Sequence, residues 1–292
     1  MAHKFNRIGI IGKPNSTRAL KTADRISDFL RNQNIEVLVH CELDLCKSCD
    51  GKTYQLEEMG EKCDLIIVVG GDGTLLGVAR SLLELEKPIV GVNRGRLGFL
   101  VDISPEDLFE IDEILTGNYH SDMRMLLDVK VMKGDEVISS SKALNDAVLY
   151  KWNTPRMIEF DIHINGKLVN SHRSDGLIIS TPTGSTAYAL SSGGPIIHPE
   201  MESFLLVPIC PHTLSNRPFM IGSDSTIEIT LKHDSFSHCR ISCDGQQDLV
   251  LDDDVKIVIT KADKKLHLLH PCHHDFFEIL RAKLRWGDPS LS

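Results

Sequence analysis

No stretch of the 292-residue chain approaches the length of apolar run that a membrane-spanning helix requires. The apolar residues Ile8 to Ile11, behind Lys4 and Arg7, are too few for a secretory signal, so a cytoplasmic location is expected. Positive charge is also in deficit. With 32 Lys and Arg against 41 Asp and Glu, the formal charge of −9 argues against nucleic acid or an anionic membrane as partner, because such surfaces are held by fields of basic residues. An anionic ligand must therefore be gripped locally. A second C-x-x-C pair is missing as well: Cys46 and Cys49, with His40, Cys41 and Cys63 nearby, sit in a polar stretch that leaves zinc open without arguing for it. The cluster of His270, Cys272, His273 and His274 reads as a helix-opening turn, and no residue is assigned as a metal ligand. Eight cysteines in a chain of this length without a secretion signal read as reduced thiols. Low-complexity tracts are absent, and 41% hydrophobic with 25% charged residues predicts a chain folded throughout, most simply as two domains.

What is present begins with Leu65-Ile66-Ile67-Val68-Val69, a short run rich in β-branched residues, as in a strand buried on both faces. It stops at Gly70-Gly71-Asp72-Gly73-Thr74, after which Leu75, Leu76, Ala79, Leu82 and Leu83 form one helical stripe. Glycines at a strand-to-helix junction let main chain approach a ligand, and the first helical N–H groups attract anions. No Gly-Lys-Ser or Gly-Lys-Thr follows, so this is not a P-loop. A carboxylate beside phosphates is repelled unless it binds a metal or accepts a proton, which makes Asp72 either a candidate base or merely a turn or cap residue.

Strand and helix patterns alternate through the first hundred residues, predicting a parallel α/β sheet, in which ligands sit at strand C-terminal ends. Both Gly70 to Gly73 and Asn93-Arg94-Gly95-Arg96-Leu97-Gly98-Phe99 fall at such ends and are expected to share one crevice. Ser104-Pro105-Glu106-Asp107 predicts a helix opening with Ser104 as cap, and Gly117 its end. From about residue 122 the period changes to two, as in Ile158, Phe160, Ile162 and Ile164 against Glu159, Asp161 and His163, with Asn165-Gly166 marking a hairpin. Asn145-Asp146 interrupts an apolar strand, as at a bulge or a ligand-facing position. The segment Thr181-Pro182-Thr183-Gly184-Ser185-Thr186-Ala187-Tyr188 crowds hydroxyls and a glycine after Leu177 to Ser180, suiting either a flat or phosphorylated ligand or an ordinary turn. Phe276, Phe277, Leu280 and Leu284 give the tail one helical face.

Taken together, Gly70 to Gly73, Asn93-Arg94-Gly95 with Leu97-Gly98-Phe99, Asn145-Asp146, Ser174-Asp175-Gly176, Thr181 to Tyr188 and Ser242-Cys243-Asp244-Gly245-Gln246 resemble the bacterial NAD kinases in order and spacing. That resemblance implies an α/β, Rossmann-like N-terminal domain with a parallel sheet and a β-rich, sandwich-like C-terminal domain. The expected boundaries are 1–121 with 271–292, the C-terminal helix returning to the first domain, and 122–270. It implies phosphorylation of the adenosine ribose 2′-hydroxyl of NAD by ATP, giving NADP and ADP, with Asp72 as the base and Gly71 and Gly73 on the donor phosphates. It further implies that Asn145, Asp146, Arg156, Arg173, Asp175, Gln246 and the segment Thr186, Ala187, Tyr188, Ala189, Leu190 and Ser191 surround NAD. Asp146 departs from the family's Glu. Mg2+ or Mn2+ is expected to arrive with ATP, and the resemblance implies a homodimer or homotetramer. A lipid kinase and a non-catalytic dinucleotide sensor are the rival readings; the first lacks a basic amphipathic surface helix, and the second leaves Asp72 without a task.

Overall fold

The computed structural model describes residues 3–13, 15–40, 53–95, 97–213, 215–232, 239–251 and 253–286. Cys41, Cys46, Cys49 and Arg96 lie outside them. The chain divides into two compact units, residues 1–123 with 266–292 and residues 124–265.

The first unit runs β1 (Arg7–Gly12), α1 (Thr17–Asn32), β2 (Glu36–Val39), α2 (Leu56–Lys62), β3 (Leu65–Val69), α3 (Asp72–Leu82), β4 (Ile89–Val92), α4 (Leu108–Thr116) and β5 (His120–Arg124). The second contains β6 (Leu127–Lys133), β7 (Glu136–Ala143), β8 (Asp146–Lys151), β9 (Ile158–Ile164), β10 (Lys167–Ser174), β11 (Gly176–Ser180), α5 (Tyr188–Ser191), β12 (Ser203–Ile209), β13 (Phe219–Gly222), β14 (Ile227–Leu231), β15 (Cys239–Cys243), β16 (Gln247–Val250) and β17 (Lys256–Lys261). The chain then returns to the first unit with β18 (Leu266–His270) and α6 (Phe276–Leu284).

In the first unit the sheet order is β2-β1-β3-β4-β18-β5, and the pairs from β2 through β18 are parallel. All five residues of β3 are buried, as the uninterrupted apolar run requires of a central strand. α1 buries Ala19, Ala23, Ile26 and Leu30 along one stripe, and Ser16 caps it by accepting the Ala19 N–H at 3.3 Å. These side chains meet Ile8, Ile10, Ile67 and Val92 from the strands and Ile111 and Ile114 from α4. The helix expected to open at Ser104 opens instead at Leu108, capped by Asp107, which accepts the Glu110 N–H at 3.4 Å. Ser104 and Pro105 form a preceding turn, with the Asp107 N–H donating to the Ser104 carbonyl at 3.0 Å. Gly117 ends the helix in the left-handed region at φ +97°, where a side chain would be strained.

The second unit holds two six-stranded sheets, β10-β9-β14-β17-β6-β7 and β13-β12-β11-β8-β15-β16. Val129, Phe160, Ile229 and Ile257 from one sheet pack with Leu149, Ile179, Phe204 and Ile241 from the other. The outer face of the second sheet is covered too: Val148, Ile178, Leu205 and Val207 pack on Ala189 and Ile197. This is why Leu177 to Ile179 lacks the alternation that β9 shows. The β9–β10 hairpin turns at Asn165 and Gly166, both at positive φ. No helix among the described residues is long and apolar enough to cross a membrane, and Cys63, Cys210, Cys239, Cys243 and Cys272 are free thiols.

Candidate active site

In the first unit the C-terminal end of β3 delivers Gly70 and Gly71, and Gly71 is the N-cap of α3. Asp72 therefore stands in the helix's opening turn and not in a loop ahead of it. Its carboxylate does not cap its own helix. Oδ2 accepts the Phe99 N–H at 3.1 Å and Oδ1 the Leu100 N–H at 3.0 Å, so one side chain ties the end of β3 to the segment after β4. Gly98 makes this approach possible, because a Cβ there would lie 2.2 Å from Asp72 Oδ1.

Asp72 is half-buried at the edge of a cavity of about 470 Å3 lined by Gly70, Gly71, Gly95 and Gly98 and by the cationic Arg18, Arg94 and Lys283. The two segments expected to share a crevice do share it. A chain with net charge −9 thus collects three cations around one glycine-rich helix start, an arrangement that favours polyphosphate. Arg94 is steadied by a hydrogen bond from Nη1 to Ser16 Oγ at 3.2 Å. A second cavity of about 660 Å3 shares Gly71 and Arg94 with the first and is also lined by Gly73, Thr74, Gly77, Lys13 and His40. Neither Arg18 nor Lys283 is marked by any local sequence signal: one stands in the first turn of α1 and the other in the last turn of α6.

In the second unit a cavity of about 410 Å3 is lined by Asn145, Asp146, Tyr150, Ala187, Tyr188 and Asp244. Asp244, at φ +55° in the turn between β15 and β16, accepts the N–H groups of Leu144 at 3.1 Å, Asn145 at 2.7 Å and Asp146 at 3.3 Å. Asp146 is 5% exposed, and burial, followed by the charge of Asp244, pushes its carboxyl up to about 7. Near neutral pH it is then poised between a hydrogen-bond donor and an acceptor. Thr181, just after β11, donates through Oγ1 to the Leu144 carbonyl at 2.5 Å, in the segment that leads into β8. Gly184 approaches the Asn145 carbonyl so closely that a Cβ would stand 2.0 Å from it. Tyr188, which also lines this cavity, is 46% exposed.

Of the residues read from the sequence around NAD, Asn145, Asp146, Ala187 and Tyr188 line this one cavity. Thr186 is half-buried, its Oγ1 donating to the Thr183 carbonyl at 3.1 Å, and Ala189 is in the core. Leu190 is half-buried and Ser191 exposed. Gln246 is exposed next to Gly245. Arg173 on β10 pairs with Glu159 at 3.5 Å, Asp175 pairs with Lys151 at 2.7 Å, and Arg156 is exposed in the β8–β9 connection. These three are not among the residues lining the cavity. Asp244, part of a recognised segment but not singled out, organises the floor. The readable signal was an Asp-Gly turn between two strands, where Asp tolerates left-handed backbone.

The family model of the ATP-NAD kinase N-terminal domain matches residues 8–119, and that of the ATP-NAD kinase C-terminal domain matches residues 144–271. An NAD kinase of Ectopseudomonas mendocina is 42% identical over 97% of both chains, and one of Teredinibacter turnerae 45% identical over 97% of both. Among solved structures, yeast NADH kinase complexed with NADH shares the fold at a TM-score of 0.87, with 24% identity over 97% of this chain and 88% of that one. An NAD kinase from Archaeoglobus fulgidus in complex with ATP superposes at 0.74, with 27% identity over 96% and 98%. Two domain models matched in chain order, together with relatives sharing more than two-fifths of their residues from end to end, place this chain in the ATP-NAD kinase family.

Proposed function

We propose that the protein transfers the terminal phosphoryl group of ATP to the 2′-hydroxyl of the adenosine ribose of NAD, giving NADP and ADP, with Asp72 as the general base. The observation that carries this reading is the Asp72 carboxylate, held by two backbone amides at the edge of a glycine-lined cavity that Arg18, Arg94 and Lys283 also line. Phosphoryl transfer needs the nucleophile, phosphorus and leaving oxygen nearly in line, with charge on the transferring group offset by cations. The glycines and the three basic side chains grip the triphosphate, and Asp72 takes the hydroxyl proton as the oxygen–phosphorus bond forms. In the second unit Tyr188 offers a ring face and a hydroxyl to the dinucleotide, while Asn145 and Asp146 meet ribose hydroxyls. With a shorter side chain than the family's Glu, Asp146 makes its ribose contact through a water.

The divalent ion fits this reading as a component of the ATP complex. Asp72 is the single carboxylate among the described residues lining the glycine cavity, and Mg2+ is commonly bound by one or two carboxylates together with substrate phosphates and waters. When bound, Mg2+ or Mn2+ neutralises charge on the donor phosphates. A homodimer or homotetramer acting in the cytoplasm completes the proposal. Supporting self-association, the edge strands β7 and β10 of one sheet expose Val137, Ile138, Leu168 and Val169.

The test is incubation with ATP, Mg2+ and either NAD or NADH, with chromatographic detection of the 2′-phosphorylated product. NADP formation in step with ADP is expected. Dinucleotide binding without turnover would replace this reading with that of a sensor.

A further inference from the structure

Behind the segment that holds Asp72 lies a cluster that the proposed transfer does not use. Asp102 Oδ2 is 2.8 Å from His270 Nδ1 and 2.7 Å from His274 Nδ1, with Asp102 8%, His270 1% and His274 6% exposed. Burial alone would raise the Asp102 carboxyl. Hydrogen bonds and charge from His270, and then His274, outweigh burial and hold it below the ordinary carboxylate range. An ionised carboxylate accepts only, so both rings carry a proton on Nδ1 and donate it. On its other side His270 Nε2 lies 3.6 Å from Asp122 Oδ2, outside hydrogen-bond distance, and His274 stacks on His120 with ring centres 5.8 Å apart.

Three ligand-type side chains this close also suit a metal ion. Ring geometry decides against it. His270 and His274 stack with centres 4.0 Å apart and planes 24° from parallel, so they cannot both aim an in-plane lone pair at one ion about 2 Å away. Hydrogen bonds to a shared oxygen tolerate that misalignment.

We infer that Asp102 is a positioning residue for phosphoryl transfer: by accepting from His270 and His274 it anchors the segment 98–102, whose Phe99 and Leu100 amides hold the Asp72 carboxylate. Only Val101 separates Leu100 from Asp102, and the next residue pairs with β4 through the Asn93 N–H to the Ile103 carbonyl at 2.9 Å. The same oxygen orients α6, because His274 directly precedes the helix cap Asp275. From α6, Phe276 packs on Phe99 with ring centres 6.5 Å apart, and the Lys283 ammonium lies 5.9 Å from the Phe99 ring centre. Asp72, Phe99 and Lys283 are thus set by one junction whose Asp102, His270 and His274 do not line the glycine cavity.

This inference rests on Asp72 being the base, so the experiment separates the two. Asp102→Ala, Asp102→Asn and His274→Phe are compared with the parent in steady-state kinetics with ATP and NAD, and in amide hydrogen exchange over residues 98–102. Asp102→Ala should lower kcat about tenfold or more while KM for both substrates stays within about twofold, the pattern of a misplaced reacting group. Exchange at Phe99 and Leu100 should rise. Asp102→Asn keeps an acceptor oxygen and should recover most of both losses. If Asp102→Ala does not fold, His274→Phe, which keeps a stacked ring but removes one donor, should still lower kcat about threefold and loosen the same amides. Parent-level kcat in a folded Asp102→Ala variant with loosened amides overturns Asp72 as the base. Unchanged exchange overturns the positioning role, as does a melting temperature that Zn2+ raises in the parent and not in His274→Phe.

Discussion

Two aspartates, Asp72 in the first unit and Asp146 in the second, stand at strand or helix starts beside cavities, yet their surroundings are opposed. Asp72 receives two backbone N–H groups and shares its cavity with Arg18, Arg94 and Lys283. Asp146 is more deeply buried, and its neighbour Asp244 has taken the local amides for itself. Surroundings, not residue type, therefore divide the labour. In the proposed reaction one carboxylate receives a proton from the substrate, and the other, pushed up to about 7, carries a proton of its own across much of the range in which an ordinary aspartate has lost it.

The largest effect that would break this contrast is at Asp72. Asp72→Asn should cut turnover by about 10²–10⁴-fold, the usual worth of general-base assistance, while calorimetry records NAD binding close to that of the parent. A variant that phosphorylates NAD at the parental rate would end the assignment. Gly98→Ala comes next, since its Cβ would stand 2.2 Å from Asp72 Oδ1 and must displace either the carboxylate or the segment that holds it. A loss of about 10²-fold in kcat is expected in a protein that still melts cooperatively, and normal kcat would show that the close approach is dispensable. Lys283→Ala should raise KM for ATP about tenfold and leave KM for NAD unchanged, the cost of one charge-assisted contact to phosphate. Equal shifts for the two substrates would place the ammonium elsewhere in the reaction.

The smallest effect sharpens the other side of the comparison. Because the folded state holds Asp146 protonated at pH values where the unfolded chain has released that proton, this group's contribution to stability falls as pH rises from about 4 to about 7. Asp146→Asn removes that decline. Its melting temperature relative to the parent should climb across this window and exceed it by a few degrees at pH 8, as differential scanning calorimetry would read. A difference that stays constant with pH would mean that Asp146 is ionised throughout.

How far the sequence could be read depended on how local each cause was. β3 and its glycines were legible because five adjacent apolar residues and a helical stripe are short-range patterns. The alternation in β9 and the Asn165-Gly166 turn were legible for the same reason. The opening of α4 was displaced to Asp107, since Ser104-Pro105 satisfies a turn as well as a cap and the choice falls to packing of Ile111 and Ile114. β18 was not recognised as the fifth strand of the first sheet, because its partner β4 lies far away in sequence. The histidines at 270 and 274 were visible as a cluster, but Asp102, which gives them a task, is more than 160 residues distant.

By itself the sequence determined the α/β-to-β order, the glycine-flanked carboxylate and the hydroxyl-rich segment after Leu177 to Ser180, since each is written in adjacent residues. Only the tertiary structure decided that Asp72 is held by amides from a later segment, that Arg18 and Lys283 join Arg94 around it, and that burial, followed by the charge of Asp244, raises the Asp146 carboxyl. Charge and hydrogen bonding act through space over a few ångströms, and the chain distance between such groups leaves no periodic trace.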